Sequence, residues 1–176
     1  MFAVAAGVLT TPVDSPLPER LAALRLELRS LVRDLGPQVI VVERVFFQTN
    51  ARTAMSVGQA SGVALLTAAE SGCTIAEYTS NEVKLAVAGH GGADKAQVQA
   101  MVARLLGLPE VPRPPDAADA LALAICHVTT LPLREAAARA DAAIAAQGER
   151  GAATRAAAAM TAAGERASTA RVERTG

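Results

Sequence analysis

The chain has 176 residues with 17 basic and 17 acidic side chains, so its formal net charge is zero. This length suits one domain with a full core, and the balanced charge means that an anionic partner must be met by a local basic patch. Cys73 and Cys126 lie far apart without metal-ligand spacing, so we expect two reduced thiols of a cytoplasmic protein. The apolar start is short and lacks a basic n-region, which argues against a signal peptide or a membrane helix.

Strands and helices alternate in the first half of the chain. "AVAAGVLTT", residues 3–11, is predicted as a strand, and a leucine stripe predicts a helix over residues 17–35 that a Gly-Pro pair ends. "QVIVVERVF", residues 38–46, has the unbroken β-branched run of a parallel strand covered on both faces. A further helix is predicted over residues 51–70.

The alternation continues in the second half. "TIAEYT" predicts a second parallel strand, and Thr79 with Glu82 predicts a capping box that opens the helix "NEVKLAVA". Helices are also predicted over residues 93–106 and 115–128. This order of elements indicates an α/β domain.

The C-terminal part of the chain has a different composition. Residues 131–176 are mostly Ala with scattered Arg and Glu, and few large apolar side chains are present to dock a helix. Ala favours helix strongly, so we predict a frayed or disordered helical extension. The predicted organisation is therefore a core over residues 1–130 and a tail over residues 131–176.

The carboxylate of Glu43 directly follows the apolar run of residues 39–42. Burying an unpaired carboxylate costs several kcal/mol, so either a salt bridge, for example with Arg44, or a bound metal ion must compensate it. Ligand sites in open parallel sheets gather at the carboxyl ends of the strands. Both explanations stay open at this point.

Asp116 and Asp119 form a second acidic feature, three residues apart in the first turn of a predicted helix. This spacing puts both carboxylates on one side of the helix, although the positive helix start also favours acids there. They flank Ala117 and Ala118, small residues that would let a ligand come close. Together with Glu43 these acids have the chemistry of a Mg²⁺ cluster for phosphodiester displacement.

Three segments carry a resemblance to a known family. "VVERVFFQTNARTAMSVGQASGVAL", "NEVKLAVAGHGGADKAQVQAMVARLL" and "DAADALALAICH" are similar to RuvC, the bacterial Holliday junction endonuclease, and the likeness covers about residues 7–127. The resemblance implies a ribonuclease H-like α/β fold, with a mixed sheet flanked by helices. It also implies a structure-selective DNA endonuclease that resolves four-way junctions by paired nicks in recombination and repair.

The resemblance implies roles for residues at matching positions. Catalysis and metal binding fall to Glu43, Asp116 and Asp119, around two Mg²⁺ ions that Mn²⁺ could replace. DNA contacts fall to a second set, in which two lysines approach phosphates and an aromatic residue stacks on a base: Lys84, Lys95, Phe46, Asn50 and Arg52. His90 is expected to be exposed and His127 to be a packed helix residue, and neither receives a catalytic role.

Gly58 and Gly62 make a smooth patch on a predicted helix. This patch serves either tight packing within the chain or a dimer seam. The family forms two-fold dimers through this helix region, and a four-way junction is itself two-fold symmetric. Further implied partners are the junction DNA and a branch-migration helicase complex, with no membrane.

The sequence departs from the family pattern at its start. The family begins with a strand that carries an aspartate, followed by a second strand, and "AAGVLTT" aligns with the third strand. We therefore expect an N-terminally truncated fold with the first two strands missing, either because the true reading frame begins upstream or because this is a shortened copy. The alternative function is a catalytically weak or inactive copy that only binds branched DNA. A transposase core of the same fold class would fit the acids but not the two lysine elements.

Overall fold

The computed structural model describes residues 1–44 and 51–172, and the side chains within them except those of residues 51–53, 148 and 150–172. The helices and the two strands found follow the predicted order, without the first predicted strand. The elements are α1 (Leu17–Leu35), β1 (Val39–Glu43), α2 (Ala51–Glu70), β2 (Thr74–Tyr78), α3 (Ser80–Ala88), α4 (Lys95–Leu106) and α5 (Pro115–Val172).

The two strands pair in parallel and end at the same edge. Their register runs from Val39 opposite Thr74 to Glu43 opposite Tyr78. One further bond follows the last pair, since the Arg44 N–H donates to the Tyr78 carbonyl at 2.8 Å. The carboxyl end of β1 therefore lies beside the carboxyl end of β2, and Glu43 stands at that edge.

The strand predicted for residues 3–11 is wrong, because the structure gives this segment no strand. A strand needs a neighbour for its backbone N–H and C=O groups, and the sheet among the described residues consists of β1 and β2 alone. The first five residues instead line an apolar cavity of about 310 Å³, whose other lining residues belong to α1, α4 and α5.

The expectation that β1 is covered on both faces is also wrong. Its four apolar residues are half-buried and Glu43 is exposed. Within the described residues β1 has β2 on one side and no strand on the other, so the apolar run does not reach full burial. Glu43 is consequently not a buried charge. The free energy of burying an unpaired carboxylate, which would have required a salt bridge or a metal ion, therefore does not arise.

Local sequence signals set the helix ends. Helix α1 stops at Gly36, whose φ of 55° is left-handed and whose N–H donates to the Val32 carbonyl at 2.9 Å. The predicted capping box of α3 is confirmed: the Glu82 N–H donates to Thr79 Oγ1 at 3.2 Å, and the Thr79 N–H donates to Glu82 Oε2 at 2.7 Å. A second capping box, which we did not predict, opens α4.

The core lies where β2, α3, α4 and α5 meet. Its members are mostly small or β-branched, in keeping with the alanine-rich composition: Tyr78, Val83, Val87, Ala93, Val98, Val102, Ala122, Ile125 and Cys126. Tyr78 is the largest fully buried side chain described. Cys73 and Cys126 are both free thiols, as expected.

Helix α5 does not end near residue 128 as predicted but runs to Val172. Thr129 and Thr130 stand where a C-cap glycine would end the helix. The Ala-rich segment that follows favours helix, although Pro132 cannot donate a backbone hydrogen bond to the preceding turn. The chain divides into two compact units, residues 1–130 and residues 131–176. Pro115–Gln147 is long and apolar enough to span a membrane by length and composition alone, a test that core helices of soluble proteins also pass.

Candidate active site

A cleft of about 290 Å³ opens at the carboxyl edge of the sheet. The strand end of β1 and the helices α3, α4 and α5 contribute its walls. Four charged side chains line it together with Ser80 and an apolar floor: Glu43, Lys84, Lys95 and Asp119, then Val83, Val98, Ala122 and Leu123.

Each of these charged groups is placed by the end of an element. Glu43 is the last residue of β1, Lys95 is the first residue of α4 and follows its Asp94 cap, and Asp119 lies one turn inside α5. Ion pairs between described side chains do not include Glu43. The salt-bridge explanation for Glu43 therefore finds no partner in the described part of the chain.

Lys95 and Asp119 form the ion pair of the cleft. Lys95 Nζ lies 2.9 Å from Asp119 Oδ2, and both side chains are substantially exposed. The hydrogen bond and the charge of Asp119 raise the pKa of Lys95 above its ordinary value of 10.5, and the more distant charges of Asp116 and Glu43 add to this effect. All three acids thus act on one ammonium group.

We expect the titration of Lys95 to report this acidic surrounding. Because its folded pKa is raised, the pair stabilises the fold below pH 10.5 and loses that contribution as the pH rises through the higher folded value. In Asp119→Asn the Lys95 pKa should fall back toward 10.5. The chain has only two lysines, Lys84 and Lys95, so lysine-selective NMR with a Lys84→Arg reference measures this directly. An unchanged Lys95 pKa in Asp119→Asn would contradict the assignment.

The predicted acids converge only in part. Glu43 and Asp119 line the same cleft, whereas Asp116 is not among its lining residues. Within residues 1–44 and 51–172 no group of three His, Cys, Asp or Glu side chains could hold one metal ion. Asp116 as a third ligand therefore stays a prediction.

The two alanines between the acids do not leave room for a ligand. Ala117 is 2% exposed and Ala118 is fully buried. Their small side chains let α5 pack closely against the rest of the protein, so the expectation that they admit a ligand is wrong. The acids project from the other side of this turn.

The donor set nevertheless suits a hard divalent cation. Mg²⁺ is commonly bound by one or two carboxylates, with water and substrate phosphates completing its shell. Glu43 on β1 and Asp119 on α5 offer those two carboxylates to the same cleft. A cation that binds Asp119 would take the place of the Lys95 ammonium group, which lies 2.9 Å from Asp119 Oδ2. These two acids are the residues that would hold the ion.

The remaining predicted DNA contacts differ in what the structure describes. Lys84 is half-buried and lines the cleft. Phe46 and Asn50 lie outside the described residues, as does the side chain of Arg52. Ser80 lines the cleft without having been predicted, and its position at the start of α3, directly after the end of β2, was the signal that could have found it.

Gly58 and Gly62 are exposed on α2. A Cβ built on either would meet nothing within 4 Å among the described residues, so these glycines do not serve tight packing against that part of the chain. Met55 and Leu66, on the same helix stripe, are 65% and 51% exposed. Of the two explanations, packing against the described residues is excluded and the dimer seam stays a prediction.

A short parallel sheet with helices around it and an acid-lined cleft at its carboxyl edge make this chain an α/β protein with a cleft where such proteins commonly bind ligands. The family model "Crossover junction endodeoxyribonuclease RuvC" matches residues 1–127. The chain belongs to the RuvC family.

Curated relatives and solved structures agree with this assignment. Crossover junction endodeoxyribonuclease RuvC of Chloroflexus aggregans is 56% identical over 126 residues, which cover 72% of this chain and 77% of the relative. The protein of that name from Rhodococcus opacus is 51% identical over 147 residues, 84% of this chain and 78% of the relative.

Two solved structures share the fold. Thermus thermophilus RuvC matches with a TM-score of 0.68 and 35% identity, covering 74% of this chain and 78% of that one. T. thermophilus RuvC in complex with a Holliday junction substrate matches with a TM-score of 0.65 and 32% identity, over 72% of this chain and 78% of that one. The ribonuclease H-like fold class is thereby confirmed, with two parallel strands described in place of the expected mixed sheet.

Proposed function

We propose that this protein is a Mg²⁺-dependent endonuclease of the bacterial cytoplasm that resolves four-way DNA junctions by paired nicks. The observation that carries the proposal is the shared cleft, which two carboxylates and two lysines line together. Membership of the RuvC family supports the reaction class, and the match to a RuvC bound to a Holliday junction supports the substrate.

The two acids and the two lysines have complementary tasks in this proposal. Glu43 and Asp119 would hold the metal ions, which supply a lowered pKa for the attacking water and stabilise charge on the leaving oxygen. Lys84 and Lys95 bind the phosphates on either side of the cleft, since ammonium groups act as compact point charges. Hydrolysis then leaves a 5′-phosphate and a 3′-hydroxyl.

Lys95 also neutralises the cleft before DNA arrives. Its ammonium group pairs with Asp119 at 2.9 Å, and 61% of its side chain is exposed to solvent, from which a phosphate can approach. Incoming phosphate competes for the same ammonium group, so DNA binding would release Asp119 toward the metal ion. This exchange keeps the acids from repelling the backbone during the first encounter.

The paired nicks require two cleft copies related by a two-fold axis. The exposed stripe of Met55, Gly58, Gly62 and Leu66 on α2 supports a homodimer through this helix. Smooth glycine positions beside large apolar ones suit close helix contact. Sedimentation that finds only monomers at micromolar concentration would remove this part of the proposal, and the helicase partner rests on family membership alone.

A binding-only protein is the second candidate. It is favoured by the absence of a three-ligand metal group within the described residues. Such a protein would grip junctions through Lys84 and Lys95 without cutting them.

A nicking assay separates the two candidates. With a synthetic four-way junction, we expect strand cleavage near the crossover that is at least about 100-fold faster with Mg²⁺ or Mn²⁺ than with EDTA, because a bound ion supplies several kcal/mol of transition-state stabilisation. A linear duplex of the same sequence is the control and should stay intact. Junction binding by mobility shift with no cleavage under either metal would establish the binding-only function instead.

A further inference from the structure

A hydrogen-bonded group outside the cleft joins β2 to α5. Tyr78 is 1% exposed, and its hydroxyl lies 2.9 Å from Nδ1 of His127 and 3.2 Å from Oγ1 of Thr130. The rings of Tyr78 and His127 meet edge to face, with centroids 5.9 Å apart. The cleft does not include any of these three residues.

The shortest contact in this group, from Thr130 to a backbone carbonyl, sets the direction of its hydrogen bonds. The Thr130 hydroxyl has a single proton and makes its shortest contact, 2.6 Å, with the Cys126 carbonyl, so it donates there. The hydroxyl of Tyr78 then donates to Thr130 Oγ1, which leaves the Tyr78 oxygen to accept from Nδ1–H of His127.

The other ring nitrogen of His127 supports this direction. Its Nε2 is buried and has no hydrogen-bond partner among the described residues. A proton on Nε2 would have no acceptor there, whereas a proton on Nδ1 is bonded, and the bonded nitrogen sets the tautomer. In this arrangement His127 carries a proton on Nδ1, which it donates to the Tyr78 oxygen.

The positions of Tyr78 and Thr130 connect this group to the two acids of the cleft. Tyr78 is the strand partner of Glu43. On α5, Asp119, Cys126 and Thr130 follow the i, i+7, i+11 pattern of one helix face, and Thr130 lies about 16 Å along the axis from Asp119 at 1.5 Å per residue. The group thus ties the strand end that carries Glu43 to the helix that carries Asp119.

We propose that Tyr78, His127 and Thr130 act as positioning residues that hold β2 against α5 and so fix the separation of Glu43 from Asp119. The proposal rests on the nuclease function for its kinetic consequence. Its structural content, the direction of the hydrogen bonds, is independent of catalysis. A small misplacement of groups that share a reacting centre is costly in rate, while ground-state DNA affinity comes mainly from phosphate contacts elsewhere.

The kinetic test removes single hydroxyl groups. Tyr78→Phe and Thr130→Val should each slow single-turnover nicking of bound junctions by about tenfold, short of the 100-fold that a 1 Å misplacement can cost, with junction affinity unchanged. Thr129→Val is the matched control, because Thr129 Oγ1 bonds only carbonyls of its own helix among the described residues. His127→Asn keeps a polar atom near the Nδ1 position and should recover most of the rate that His127→Leu loses. Parent-like nicking by both Tyr78→Phe and Thr130→Val would overturn the proposal.

The structural test does not depend on cleavage. In ¹⁵N NMR the chemical shifts of the two ring nitrogens of His127 should show a proton on Nδ1. In Tyr78→Phe, which removes the acceptor of that proton, the share of molecules with the proton on Nε2 should increase. Only His90 shares this spectral region, and His90→Gln assigns it. An Nε2-protonated His127 in the parent protein would refute the bond directions, whereas a parent that shows the Nδ1 tautomer but never nicks junctions would refute only the proposed function.

Discussion

Glu43→Gln should reduce the nicking rate of bound four-way junctions by about 100- to 1000-fold, the equivalent of the several kcal/mol that a correctly held metal ion supplies. The neutral amide keeps the size of the side chain at the end of β1 but removes a negative ligand from the cleft. Glu43 is exposed and has no ion-pair partner among the described side chains. The substitution therefore leaves the fold intact and acts on the metal.

The affinity of Glu43→Gln for the junction shows whether the variant has lost only its nicking rate or also its ability to bind DNA. Removing one negative charge from a surface that faces phosphates should leave junction binding unchanged or make it tighter. Glu77→Gln is the matched control: it makes the same chemical change on the neighbouring strand, one residue before the strand partner of Glu43. Equal nicking by Glu43→Gln and the parent under saturating Mg²⁺ would remove Glu43 from the active site.

The second large effect is expected for Asp119→Asn. This change removes the other cleft carboxylate and also frees Lys95 from its 2.9 Å ion pair. Nicking should fall by about 100-fold or more for the same reason as in Glu43→Gln. Junction binding should become tighter, because incoming phosphate no longer has to displace Asp119 from the Lys95 ammonium group.

The salt dependence of binding separates this release from a new phosphate contact. Each phosphate contact contributes about 0.9 to the slope of log Kobs against log[salt], and Lys95 contacts phosphate in both proteins. Asp119→Asn and Glu43→Gln should therefore keep the slope of the parent. Asp141→Asn, an exposed acid on the same helix, should match the parent in both slope and rate. A slope steeper by about 0.9 in Asp119→Asn would show that Lys95 stays paired with Asp119 in the parent complex and does not reach DNA there.

Local signals in the sequence predicted most elements within a few residues. Gly36 ended α1 and the Thr79–Glu82 box opened α3 because these residues satisfy backbone groups next to them in the chain. Similar local reasoning failed for residues 3–11, where an apolar composition suggested a strand. A strand depends on a hydrogen-bonding neighbour, and that neighbour is a tertiary property.

The sequence likewise predicted some features of the candidate site, while others depended on the fold. The motifs around Glu43, Lys84, Lys95 and Asp119 were readable because each follows a recognisable strand end or helix start. Their meeting in one cleft could not be read from spacing, and neither could the absence of Asp116 from the residues that line it. The burial of Ala117 and Ala118 likewise depends on which side of α5 faces the core.

By itself the sequence determined the chemical groups that this protein can use, the family to which they belong and the local ends of its helices. Only the tertiary structure decided that Glu43 is exposed, that Lys95 pairs with Asp119 and that Tyr78 reaches His127 on a distant helix. Side-chain type and capping are properties of neighbouring residues. Burial and charge pairing arise between segments that are dozens of residues apart, so they appear only when the chain has folded.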